Sequence, residues 1–389
     1  MSTGNLLVLQ SGGPTAVLNT TLAAVISEAQ HHQVAKILGA LHGVNGLIHA
    51  HFADLTSLSQ SQLNLLASTP AAALGSSRTK PSDNDLARIL DNLAKHQVRH
   101  LLLVGGNGSL KGAQAIHEAA LRNDQDLNVI GIPKTIDNDI ASIDRCPGYA
   151  SAARYMAQAV RDLGADVRAL PQPVSILETM GRSVGWVAAA TALARTDEDS
   201  APHLIYLPEN PFIMQQFLAD VDRTVTRAGY CIVVAPEGLK DPSGNMVYET
   251  SNSAQKDAMN RPLPGDIALY LAGVVSKELK IRCRSEKPGL CARASIATRS
   301  EQDVKDADLV GRVAVRAALA GDRGMMVSLR PLGSTPNHDL IPLSQGAGHE
   351  RPIPTEWITD GHLRVSEAFL NYARPLVGPL QDYAPPFML

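Results

Sequence analysis

The sequence predicts an α/β protein built from two doubly wound, mostly parallel sheets. Two observations carry that expectation. A short aliphatic strand, a Gly- or charge-bearing turn and a helix recur in that order along the chain, the pattern of stacked strand–helix units. The strands also read as unbroken apolar runs, as expected where helices cover both faces of a sheet. A length of 389 residues suits two domains.

The elements justify themselves in order. Leu6–Leu9 leads into Ser11-Gly12-Gly13-Pro14 and a helix over Ala16–Ala29. Leu101–Val104 leads into Gly105-Gly106-Asn107-Gly108-Ser109 and a helix over Leu110–Leu121. Val129–Ile132 precedes Pro133-Lys134-Thr135-Ile136-Asp137-Asn138-Asp139. Val174–Leu177 precedes Glu178-Thr179-Met180-Gly181-Arg182 and the apolar Val184–Ala194, and Cys231–Ala235 precedes Pro236-Glu237-Gly238. In such folds ligands sit beyond the carboxyl ends of the strands, and each of these polar clusters lies there. Arg195–Ser200 and Pro262–Gly265 read as surface connections. The tail from Leu376, with Pro379, Pro385 and Pro386, reads as an extended surface segment.

Composition narrows the function. Hydrophobic residues at 44% and charged residues at 19% support buried cores and exclude a disordered chain. Low aromatic content (4%) beside 30 Gly and 24 Pro suits a loop-rich layered fold. A balance of 35 basic against 38 acidic residues makes no broad cationic field, so no nucleic-acid partner is expected. Cys146, Cys231, Cys283 and Cys291 show no CxxC pairing and read as reduced thiols rather than a disulfide frame or zinc site. The start lacks a signal-peptide pattern, and Val184–Ala194 falls short of the about 20 residues that span a bilayer. A soluble, cytoplasmic protein with no membrane partner is expected.

The chemistry lies in the turns. Gly12-Gly13 and Gly105–Ser109 lack the Cβ atoms that would keep phosphate oxygens from backbone N–H groups, and a helix N-terminus follows each. No GxxxxGK[ST] is present, and Lys111 stands where GxGxxG needs its last glycine. Tight packing explains one such turn; two favour phosphate binding. Lys134–Asp139 gathers a cation, a hydroxyl and two carboxylates within six residues. Phosphoryl transfer uses these types together: the cation neutralises the moving group, a carboxylate accepts the hydroxyl proton, and oxygens hold Mg²⁺. In an extended segment Asp137 and Asp139 would face the same way. The alternative is an Asx-rich helix-capping turn.

Other motifs compete. Gly181-Arg182-Ser183-Val184-Gly185 is a literal GxSxG between strand and helix, the setting of a serine-hydrolase elbow, with His203, His338, His349 and His362 downstream. No HGGG-type segment precedes it, and Arg182 suits anion binding better. Arg284–Arg293, with Lys280, Arg282 and Lys287, forms a basic patch that either clamps a phosphate or is simply solvated. Glu237 suits sugar hydroxyls or an ordinary turn.

Taken in order, these segments resemble the phosphofructokinase A-type family, in its pyrophosphate-dependent-like branch, over nearly the whole chain. Pro133–Asp139 (PKTIDND) and Met180-Gly181-Arg182 are the most specific motifs. Ser11–Gly13, Gly105–Ser109, Glu237-Gly238, Cys146–Tyr149, Glu286–Gly289, Arg293, Asp303 and the Gly311–Ala320 helix agree in spacing. The resemblance implies transfer of a phosphoryl group from ATP or pyrophosphate to O1 of fructose 6-phosphate, with Mg²⁺. It implies Asp137 as base, with Lys134 neutralising the transferring group, Gly108 at the donor's α-phosphate position, and Thr135 and Asp139 beside the base. Met180, Gly181, Arg182, Glu237 and Arg293 would hold the sugar phosphate, and Arg182 also the moving group. Gly12, Gly13, Arg78, Gly106, Asn107 and Ser109 would bind the donor, with Asn107 near Mg²⁺. It further implies a homodimer or homotetramer in which Arg284 enters a neighbour's site. The donor domain is expected at 1–145 plus about 294–330, the acceptor domain at 146–293 plus about 331–389.

The chain departs from the family at two places. Pyrophosphate users typically carry Asp where Gly108 stands and Lys where Lys134 stands; many ATP users carry glycine at both. A carboxylate at 108 would repel ATP's α-phosphate, whereas glycine leaves that space open, so the reading leans to ATP with pyrophosphate as the alternative. Pro173 and Leu290 replace residues that usually help hold the 6-phosphate. Arg284 and Lys287 then compensate, or the acceptor is an analogue with another anionic group. A non-catalytic sugar-phosphate sensor would need no base, which Asp137, Asp139 and Arg182 argue against.

Overall fold

The computed structural model describes residues 4–169, 173–248 and 265–384, so Pro262–Pro264, Pro385 and Pro386 lie outside the described residues. From the N-terminus run β1 (Asn5–Gln10), α1 (Leu18–His31), β2 (Ile37–Ala40), α2 (Val44–His49), β3 (Phe52–Asp54), α3 (Gln60–Ala67), α4 (Asp83–Lys95), β4 (Val98–Gly105), α5 (Asn107–Arg122) and β5 (Asn128–Pro133). Then follow α6 (Tyr149–Ala169), β6 (Val174–Thr179), α7 (Trp186–Ala190), β7 (Leu204–Ile205), α8 (Met214–Ala228), β8 (Cys231–Pro236), α9 (Ile267–Glu278), β9 (Cys283–Glu286) and α10 (Cys291–Ala294). The chain closes with α11 (Glu301–Ala320), β10 (Met325–Leu329), β11 (His338–Pro342), α12 (Leu343–Gly346) and α13 (Glu367–Val377).

These elements form two units, Met1–Ala152 with Arg293–Arg351 and Ala153–Ala292 with Pro352–Leu389. The first holds a seven-stranded sheet in the order β11-β10-β5-β4-β1-β2-β3. Its inner strands are parallel, and antiparallel β11 and β3 close the two edges. Leu6–Leu9 and Leu101–Val104 are wholly buried, as their unbroken apolar runs require. The second unit holds the parallel sheet β7-β8-β6-β9, whose core includes Val174, Ile176, Phe217 and Val233.

The expected domain ranges differ from the two units chiefly at the first and last of three joins. Residues 331–351 belong to the first unit because β11 pairs with β10 from Met325↔Pro342 to Leu329↔His338. Cys146–Ala152 stay there too, because the buried Asp303 carboxylate accepts the Gly148 and Ser151 N–H groups and so caps the start of α6. The tail is not extended from Leu376, which still lies in α13. Beyond it, Asp382 pairs with Arg161 at 3.0 Å and Gln381 N donates to Gln158, laying the tail along α6. No described helix is long and apolar enough to cross a membrane.

Candidate active site

In the first unit β5, β4 and β1 are parallel neighbours, so the turns that follow them emerge side by side at one sheet edge. Hydrogen bonds tie these turns together. Ser109 Oγ donates to Ser11 Oγ at 2.9 Å, and Lys134 Nζ donates to Gly13 O at 2.7 Å. Gly12 N donates to Ser77 O and Ser76 Oγ to Gly12 O, which sets the segment carrying Arg78 against the first glycine turn. Arg293 arrives from α10, and its guanidinium tip lies against Gly13: a Cβ there would lie 2.8 Å from Nη1. Gly106 and Asn107 open α5, where a Cβ on Gly108 would meet nothing within 4 Å. The structure thus gathers Gly12, Gly13, Arg78, Gly106, Asn107, Gly108, Ser109, Lys134 and Arg293.

The Lys134–Asp139 segment is not extended. Asn138 adopts φ +54° and its Oδ1 accepts the Cys146 N–H at 2.9 Å, a bend that breaks the simple alternation expected for Asp137 and Asp139. Before the bend, Thr135 Oγ1 accepts the Asp137 N–H at 3.1 Å. After it, Asp139 Oδ2 accepts from Asn107 Nδ2 at 3.0 Å, while its Oδ1 is buried without a hydrogen-bond partner. Asn107 Oδ1, expected beside Mg²⁺, instead accepts the Gly348 N–H at 3.2 Å. The unclaimed Asp139 oxygen fits a cation better than Asn107 does. Among the described residues no cluster of three or more His, Cys, Asp or Glu forms a metal cage. Mg²⁺ is commonly held by one or two carboxylates plus phosphate oxygens and water.

Burial sets the charge here. Lys134 is only 3% exposed, and burial pulls its ammonium down to about 8. Arg293 and Arg78 push the same way, against the Asp137 charge. A lysine so poised holds its proton most firmly when an anion binds beside it.

In the second unit the turns after β6 and β8 are neighbours. Glu237 N donates to Thr179 O at 3.0 Å. A Cβ on Gly238 would sit 1.9 Å from Arg182 O, so only glycine lets the loop Met180–Gly185 rest against that backbone. The structure therefore brings Met180, Gly181, Arg182 and Glu237 together. Glu178 is buried, accepts the Asp266 and Ala268 N–H groups at the start of α9, and lies 3.2 Å from Lys287 Nζ. Burial and the Glu178 charge raise Glu237 to about 7.

The basic patch does not act as one body. Lys287 is pinned between Glu178 and Asp266, Arg284 is exposed on β9, and Arg293 belongs to the first unit. Lys287 is thus spent on two carboxylates rather than offered as a compensating phosphate clamp. Asp266 was not singled out in the sequence, and Glu178, Asn138 and Asp303 were named there only within segments, without the contacts they make. Only Glu178 left a signal, a carboxylate closing an otherwise apolar strand. His203 is buried with Nδ1 accepting the Ile232 N–H and its ring edge-on to Tyr230, so it serves packing rather than a hydrolase triad.

The phosphofructokinase family profile matches residues 5–318, most of the chain. The chain belongs to the phosphofructokinase family. It is 38% identical to the pyrophosphate–fructose 6-phosphate 1-phosphotransferase of Rhodospirillum rubrum, over 97% of this chain and 95% of that one. It is 32% identical to the sulfofructose kinase of Alkalicoccus urumqiensis, over 90% and 91%. A solved structure, the pyrophosphate-dependent phosphofructokinase from Marinobacter aquaeolei, superposes with a TM-score of 0.86 at 31% identity, covering 99% of this chain and 94% of that one. The GxSxG of Gly181–Gly185 is accordingly part of a phosphofructokinase loop, and the chain is a phosphotransferase rather than a hydrolase or a sensor.

Proposed function

We propose that this phosphofructokinase transfers the terminal phosphoryl group of ATP to the 1-hydroxyl of fructose 6-phosphate, with Mg²⁺. The observation that carries the reading is the single edge on which Lys134, Asp137, Asp139 and two glycine turns converge. In this reading Asp137 accepts the proton of the attacking hydroxyl, and Lys134 neutralises charge on the transferring group. The N–H groups of Gly12, Gly13 and Gly106–Ser109, with Arg78, hold the donor phosphates. Met180, Gly181, Arg182, Glu237 and Arg293 hold the sugar phosphate, Glu237 through its hydroxyls. Asp139 would hold Mg²⁺, which when bound would offset the charge of the donor phosphates. Exposed Arg284 would complete the site of a second copy in a homodimer or homotetramer. Four free thiols suit a reducing compartment such as the cytoplasm.

Two specific observations favour second readings. Lys134 and the Rhodospirillum rubrum relative favour pyrophosphate as donor. Leu290, exposed where the family usually places a basic or aromatic group, favours sulfofructose, the acceptor in the name of the Alkalicoccus urumqiensis relative. A matrix crossing ATP and pyrophosphate with fructose 6-phosphate, sedoheptulose 7-phosphate and sulfofructose separates these. Turnover of fructose 6-phosphate with ATP supports the first reading; turnover only elsewhere overturns it. Ser183→Ala is expected to keep kcat within about threefold, since Ser183 is given no chemical step.

The buried charges predict pH profiles. Lys134 loses its proton near 8 in the free enzyme, so kcat/KM for the donor should fall as pH rises through about 8. A bound phosphate favours the ammonium, so the alkaline limb of kcat should lie higher. Glu237 is ionised above about 7, so kcat/KM for the acceptor should rise with pH through about 7, and Glu237→Gln should flatten that limb. Initial-rate profiles check both; an alkaline limb that ignores donor saturation counts against Lys134.

A further inference from the structure

The loop carrying Arg182 is gripped from one side by a carboxylate that sequence reading did not single out. Glu209 follows β7, and its Oε1 accepts the Gly185 N–H at 2.9 Å and the Ile353 N–H at 3.3 Å. Gly185 precedes α7, so that N–H is one of the donors a helix start leaves without an internal partner. The fit is close: a Cβ on Gly185 would lie 2.7 Å from Leu207 Cδ2 and 2.8 Å from Glu209 Oε2. Glu209 Oε2 is buried without a hydrogen-bond partner, and burial raises its carboxyl above the ordinary range. A buried acid is costly to keep, and backbone N–H groups, those of Gly185 and Ile353 among them, offset that cost.

The other end of the loop is held through β6, by the Gly181 N–H on the Glu237 carboxylate and by the close approach of Gly238 to Arg182. Between these two anchors lie Met180, Gly181, Arg182 and Ser183. Loss of the Glu209 contact would leave two buried N–H groups unsatisfied and let the loop's far end drift.

We propose that Glu209 is a positioning residue that holds the Met180–Gly185 loop in its acceptor-binding geometry by clamping the Gly185 and Ile353 N–H groups. This rests on the reading that Arg182 holds the sugar phosphate. Glu209 touches no reacting atom; it acts through Arg182. Only acceptance by Oε1 is required, so an uncharged amide should replace it, whereas a shorter acid should not reach both N–H groups.

The test is steady-state kinetics on the full-length enzyme with Mg²⁺ and fructose 6-phosphate, comparing Glu209→Gln, Glu209→Asp and Glu209→Ala, with Arg182→Ala alongside. Glu209→Gln should stay within about threefold of wild type. Glu209→Ala and Glu209→Asp should raise the acceptor KM about tenfold or more while the donor KM moves less than about twofold. Glu209→Asp keeps the question answerable if Glu209→Ala does not fold. Should Arg182→Ala leave the acceptor KM unchanged, the reading of the loop itself falls. If Arg182→Ala raises that KM but Glu209→Ala and Glu209→Asp do not, or raise both KM values equally, the positioning role is overturned.

Discussion

Asp137→Asn is expected to lower kcat by about 10²–10⁴, the range a positioned general base contributes, with both KM values within a few-fold of wild type. The asymmetry follows from the geometry around the residue. Thr135 Oγ1 accepts the Asp137 backbone N–H, and Asn138 Oδ1 anchors the bend on Cys146 N; neither contact uses the Asp137 carboxylate. An amide of the same shape keeps these two backbone anchors while removing the proton acceptor. Thermal unfolding should move by less than a few degrees, which separates lost chemistry from lost fold. Stopped assays of product formation at saturating donor and acceptor measure kcat directly. A variant within threefold of wild type would mean that the hydroxyl proton leaves by another route and that Asp137 is no base.

Much of this arrangement was legible in the sequence because parallel strands advertise themselves. Leu6–Leu9, Leu101–Val104 and Val129–Ile132 are buried on both faces, so their apolar runs are unbroken and the polar turns at their carboxyl ends stand out. That was enough to collect Gly12, Gly106–Ser109 and Lys134–Asp139 at one edge. What stayed hidden depends on contacts distant in sequence. Nothing in Pro-Glu-Asn at 208–210 announces that Glu209 will reach Gly185, 24 residues away. Asp303 caps a helix that begins 154 positions earlier, and Lys287 is drawn to Glu178 across 109 positions. The partners of the basic stretch Arg284–Arg293 were hidden for the same reason. Closeness in sequence suggested one patch, whereas the fold sends Arg293 to one unit and leaves Arg284 and Lys287 in the other. The left-handed Asn138 was likewise invisible, since its conformation is stabilised by Cys146 N.

Gly108→Asp is expected to cut kcat/KM for ATP by about 10²–10³ while changing that for pyrophosphate by no more than a few-fold. Like charges juxtaposed across a binding interface cost several kcal/mol, which is the size of that loss. The substitution itself should be well tolerated. Gly108 lies in the first turn of α5, has an ordinary helical backbone, and would place a Cβ in space with nothing within 4 Å. Replacing an interior helix glycine and adding an acid near a helix N-terminus both favour the folded state. A lower ATP rate therefore cannot be assigned to unfolding. The carboxylate would instead stand where, in the proposed donor pose, ATP carries its α-phosphate. Pyrophosphate has no third phosphate to meet it. Lys134 is untouched by the change and still donates to Gly13 O, so its contribution to both donors should persist. The quantity to measure is the ratio of kcat/KM for the two donors, because errors in enzyme concentration cancel in it. A shift of about a hundredfold toward pyrophosphate identifies residue 108 as the element that separates this chain from its pyrophosphate-using relatives. Equal losses with both donors would place the α-phosphate elsewhere and transfer the choice of donor to Lys134.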